Sequence, residues 1–184
     1  MNVESVAALA ERLVEPQLDP GTKLSLLGEL RDSIEIVQSQ DYARYLSSIV
    51  PAFLRLLSSG DLSVPVFNSG DPLQRLRLTT LEILHRFPQT EALKGFAPDI
   101  MSTLMDILRS DNEENAAVAL KVIVDLHKNY KALVEDFVQP FFDFVKEAYK
   151  SMEQAVEEAF SSDDSEAAEG ERDGYEARLS PTYS

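Results

Sequence analysis

Apolar residues recur every three or four positions along nearly the whole chain up to about residue 160. Leu24, Leu27, Leu30, Ile34 and Val37 form one such stripe, Leu76, Leu78, Leu81 and Leu84 a second, and Val118, Val122, Ile123 and Leu126 a third. Spacing of this kind gathers apolar side chains on one face of a helix. No segment alternates apolar and polar residues and then meets a hairpin turn, which is how strands would read. The pattern predicts an all-α chain of about seven helices.

The expected starts of those helices are marked. Asp19-Pro20-Gly21 and Asp71-Pro72 each place a capping residue before a proline in the first helical turn. In "SDNEENAAVALKVIVDLHKNY", Ser110 to Tyr130, Asp111 with Glu114 and Ser110 with Glu113 both fit a capping box. The acids of this stretch thereby gain a structural role at the positive end of a helix dipole.

Three prolines expose a repeat. They stand in "IVPAFLRLL" (Pro51), "FAPDIMSTLMDIL" (Pro98) and "FVQPFFDFVKEAY" (Pro140), 47 and 42 residues apart. Apolar residues flank each at two positions before (Ile49, Phe96, Val138) and two after (Phe53, Ile100, Phe142). In the first two copies a second helix follows, and these end "ILHRF" and "DLHKNY". Paired helices at a period near 40–47 residues are the mark of a HEAT or armadillo-like α-α superhelix, in which each pair needs its neighbours to cover its apolar face. The proline is expected to open or kink the first helix of each pair.

His85 and His127, the only histidines, occupy matching places in these copies. Imidazole near a helix C-terminus can meet free carbonyls and the dipole there. A metal site would need further ligands at helical spacing, and no His-x-x-x-His or Glu-x-x-His pattern occurs. The pair therefore reads as a structural bracket.

Two segments break the repeat. Ser58 to Pro72, "SSGDLSVPVFNSGDP", is rich in Gly, Ser and Pro yet contains Val64, Val66 and Phe67, which either fold back on the core or offer a docking edge. Residues 161–184 hold seven acids, two arginines and few large apolar residues, the composition of a disordered acidic tail. The domain reading is a helical repeat over 1–160 and this tail over 161–184. Its Ser180-Pro181 pair and acid-flanked serines are candidate phosphorylation sites.

Charge narrows the partners. Net charge is −15, from 32 acids and 17 bases, and residues 1–160 alone hold 25 acids against 15 bases. Such a surface disfavours nucleic-acid backbones and anionic membranes. Arg75, Glu82 and Arg86 make a mixed solvated stripe rather than a basic patch. Cysteine is absent, which removes disulfides and thiolate chemistry and suits a reducing compartment. The opening "MNVESVAALAERLVEP" carries acids where a secretory leader carries bases, and no window is apolar for long enough to span a membrane. A soluble intracellular protein is expected.

The patterns of catalysis are missing too. The seven glycines are scattered, and neither a phosphate loop, a G-x-S-x-G elbow, an H-E-x-x-H pair nor an EF-hand spacing is present. Adjacent acids such as Glu113-Glu114 and Glu157-Glu158 fall on different helix faces. Phe141, Phe142, Phe144 and Tyr149 make the last helix aromatic, either as core or as a face awaiting another repeat. The expectation is a protein that is no enzyme, with no catalytic, cofactor-binding or metal-ligating residues and no small-molecule substrate.

The ordered run "KLSLLGELRDSIEIV" (Lys23–Val37), "YLSSIVPAFLRLLSSGD" (Tyr45–Asp61), "LQRLRLTTLEILHRFP" (Leu73–Pro88), "DNEENAAVALKVIVDLHKNY" (Asp111–Tyr130) and "FFDFVKEAYKSM" (Phe141–Met152) resembles the extreme N-terminal HEAT repeats of the transformation/transcription domain-associated proteins and their fungal counterparts. Glu113-Glu114-Asn115, Leu126-His127-Lys128 and Phe144-Val145-Lys146 are its most specific elements. The resemblance implies a nuclear scaffold of the pseudokinase class, related to phosphatidylinositol-kinase-related kinases but without their catalytic residues. It implies service as a large coactivator subunit of SAGA-type and related histone acetyltransferase complexes, with complex subunits and transcription activators as partners. Nothing here corresponds to a FAT region or a kinase-like domain. The acidic surface would repel acidic activation segments, so activator docking would need a local groove with bases such as Arg31, Arg44 and Arg55. Docking onto other scaffold parts or neighbouring subunits is favoured. A free-standing helical-repeat adaptor and an enzyme with an unrecognised site are the competing readings.

Overall fold

The computed structural model describes residues 3–34, 37, 40–58, 67–68 and 70–176. Among them are eight α-helices and no strand: α1 (Val3–Leu13), α2 (Pro20–Ile34), α3 (Tyr42–Ser58), α4 (Pro72–His85), α5 (Glu91–Lys94), α6 (Ala97–Ser110), α7 (Glu113–Tyr130) and α8 (Val138–Glu176). Two short 3-10 turns, Lys131–Leu133 and Glu135–Phe137, join α7 to α8. The chain divides into two compact units, Met1–Val138 and Gln139–Ser184. No described helix is long and apolar enough to cross a membrane.

The first unit is a two-layer stack. Helices α1, α3 and α6 lie side by side in one layer and α2, α4 and α7 in the other, with α1 packed on α2, α3 on α4 and α6 on α7. This is the all-α helical-repeat superhelix that the proline period predicts, with one pair more than the prolines reveal. Three stacked pairs reach the number a repeat array needs to bury a continuous core. The short helix α5 sits against α3.

Within the layers, burial follows the helical period with a local shift. In α2 the buried residues are Leu26, Leu27, Leu30 and Ser33, while Leu24, Ile34 and Val37 of the expected stripe are half-buried. The shift has a polar cause. The Ser33 hydroxyl turns inward, donates to the Leu30 carbonyl at 2.6 Å and lies 3.0 Å from the Tyr45 hydroxyl, which itself donates to the Leu30 carbonyl at 3.2 Å. This bond ties α3 to α2, and burial pushes the Tyr45 phenol up to about 12 despite the opposing effect of Ser33. In α4 and α7 the expected residues Leu76, Leu81, Leu84, Val122, Ile123 and Leu126 are buried, with Leu78 and Val118 half-buried.

The helix starts at Asp19 and Asp71 stand as expected. Asp19 accepts from the Thr22 amide at 3.0 Å and the Thr22 hydroxyl at 2.6 Å, and these bonds hold its carboxyl below the usual range. Asp71 accepts from the Leu73 amide at 2.8 Å. The prolines behave differently from one another. Pro98 lies in the first turn of α6 and Pro140 in that of α8, but Pro51 stands inside α3. There it lines a groove of about 190 Å³ with Ala7 and Ala10 of α1, whose short side chains leave room for its ring.

The second unit holds α8 from Gln139 onward. The helical backbone continues past the expected boundary at residue 160 through Glu176. Residues 177–184, with Ser180-Pro181, lie outside the described residues.

Candidate functional site

The most organised polar site in the first unit lies where α4 meets the turn between α6 and α7. The sequence placed a capping box at Asp111 or Ser110, and the structure corrects this. Asn112 is the N-cap of α7, its side chain accepting from the Asn115 amide at 3.0 Å. Asp111 instead terminates α6, its amide donating to the Ile107 carbonyl at 2.9 Å, and its carboxylate is released for tertiary contacts.

Those contacts form a connected network. One carboxylate oxygen of Asp111 accepts from the Asn112 amide at 2.8 Å and from Asn115 Nδ2 at 3.0 Å; the other pairs with Arg77 Nε. The two side chains of this ion pair are 5% and 0% exposed. Arg77 also donates to the Leu57 carbonyl of α3 at 3.2 Å, and Asn115 exchanges amide hydrogen bonds with Gln74 at 2.9 and 3.3 Å. Buried charge persists only where pairing and hydrogen bonds offset its desolvation. Here three helices and one turn supply them, so the chemistry the cluster can perform is to fix α3, α4 and α7 relative to one another.

The expected result at the cap follows. Asn112→Ala lowers stability by about 1 kcal/mol in denaturant titration, because the Asn115 amide loses its acceptor, and Asn112→Ser recovers most of it.

The network is the site that pattern reading missed, and a signal was available. Gln74, Arg77, Leu81 and Leu84 fall at successive intervals of three, four and three on α4. Two polar residues on the buried stripe of a helix announce polar partners across the interface.

Beside the network opens a cleft of about 360 Å³ lined by Phe67, Gln74, Asp111, Asn112, Glu113 and Glu114. Phe67 is 76% exposed. Val64 and Val66, its companions in the expected docking segment, lie outside the described residues. The three arginines proposed for a basic groove are placed apart in role. Arg55 of α3 lines the groove with Ala7, Ala10 and Pro51, whereas Arg44 does not, and Arg31 of α2 pairs at 3.2 Å with its neighbour Asp32.

His85 is the last residue of α4 and His127 lies in the last turn of α7, as the bracket reading expects. The partner of His85 is a carboxylate rather than a carbonyl: its Nε2 lies 3.6 Å from Oδ2 of Asp125 on α7. Burial holds the His127 imidazole below its usual value. Three residues on, the Tyr130 hydroxyl donates to the Thr90 carbonyl at 2.8 Å and closes the end of α7 on the segment before α5. Among the described residues no group of three or more His, Asp and Glu side chains could hold a metal ion.

No protein-family model matches the chain. Relatives are nevertheless plain. The chain is 38% identical over 139 residues to the "Probable transcription-associated protein 1" of Dictyostelium discoideum, 76% of this chain and 3% of that protein. It is 33% identical over 159 residues to the "Transformation/transcription domain-associated protein" of Danio rerio, 86% of this chain and 4% of that one. It is 32% identical over 160 residues to the "SAGA complex/NuA4 acetyltransferase complex subunit Tra1" of Schizosaccharomyces pombe, 87% of this chain and again 4% of the relative. The chain thus spans only 3–4% of the length of these relatives. Over most of its own length, the chain is a homologue of the transformation/transcription domain-associated protein family.

Proposed function

We propose that the chain is a non-catalytic protein-interaction segment of a transcription coactivator, working in the nucleus within SAGA-type and related histone acetyltransferase complexes. One observation carries the reading: a stack of three helix pairs forms in a chain that aligns over 160 of its residues with a subunit named for those complexes. Helical arrays act by presenting long surfaces, and the main polar cluster of this one serves helix-to-helix contact. On this reading residues 1–160 form the helical repeat at the extreme N-terminal part of such a scaffold, and 161–184 are an acidic stretch that follows it. Partners are neighbouring scaffold parts and complex subunits; the excess of acids argues against acidic activators as principal ligands and against direct nucleic-acid or membrane contact.

The test is purification of the endogenously tagged protein from nuclear extract with mass spectrometry of the chains that accompany it. Acetyltransferase-complex subunits at constant ratio are expected. A reproducible set of partners lacking them overturns the coactivator reading and leaves a helical-repeat adaptor.

A further inference from the structure

We draw no further inference here: the strongest candidate, the cleft lined by Phe67, Glu113 and Glu114 between the start of α4 and the α6–α7 turn, is the acid-bearing N-terminus of α7 beside the helix-fixing network already described, and nothing in the structure shows what occupies it.

Discussion

Arg77→Ala destabilises the first unit by about 3–5 kcal/mol, one of the two largest losses expected from a single substitution here. The reason is what the change leaves behind. The Asp111 side chain is fully buried, and with the guanidinium gone it remains a charge held by two neutral donors, the Asn112 amide and Asn115 Nδ2. The Leu57 carbonyl loses its donor at the same time. Removing both charges is a different experiment. Arg77→Met combined with Asp111→Asn keeps an oxygen facing the Asn112 and Asn115 donors and buries no charge. The double variant should recover most of the loss, since a buried ion pair contributes little beyond a well-packed neutral replacement. Equilibrium denaturation of the parent, Arg77→Met, Asp111→Asn and the double variant gives the coupling energy, expected at about 2 kcal/mol or more. Equal destabilisation in the single and double variants would show that Arg77 acts through its packing rather than its charge. The position of the pair adds a second readout. Arg77 connects the α3–α4 pair to the turn of the α6–α7 pair, and stacked repeats share cooperativity only through such interfaces. The single variant should therefore unfold with a broader transition and a lower denaturant slope.

The contrast between Asp111 and Asn112 shows where sequence reading stops. Helix periodicity and proline–cap punctuation were enough to place α2 and α4 near their observed starts, because Asp19 and Asp71 act on amides two or three residues away. A local rule suffices for a local contact. "SDNEEN" offers three consecutive capping candidates, Ser110, Asp111 and Asn112, and local rules cannot choose among them. The choice is made 34 residues earlier by Arg77, whose charge needs the only carboxylate of the three. The repeat itself was legible through its prolines, but α1 and α2 hold no proline at the matching place and joined the array only in the structure. The face of α8 was open to two readings, core or unpartnered surface. Of its four aromatics, Phe142 and Tyr149 are exposed and Phe141 and Phe144 half-buried, so neither reading holds for all of them.

Phe53→Ala should cost about 3–5 kcal/mol, while Phe142→Ala should change folding stability by less than about 0.5 kcal/mol. Both residues stand two positions after a repeat proline, so their sequence environments are equivalent. Their surroundings are not. Phe53 is fully buried on α3, and its ring stacks on Phe87 with centroids 6.0 Å apart and planes 7° from parallel. The helix that carries it packs against α1, α4, α5 and α6, so neighbours on several sides resist collapse into the space the ring vacates. A cavity that cannot close carries its full penalty, and Phe87 loses its stacking partner as well. Phe53→Leu retains most of the volume and should cost about 1.5 kcal/mol or less. At Phe142 the ring is 61% exposed, touches Phe141 edge-on at 6.0 Å, and leaves no cavity when removed. Thermal and denaturant unfolding of the three variants distinguish the two roles. A large loss at Phe142 together with a small one at Phe53 would mean that the core runs through α8 rather than α3, and the proline period would then mark equivalent sequence without equivalent burial.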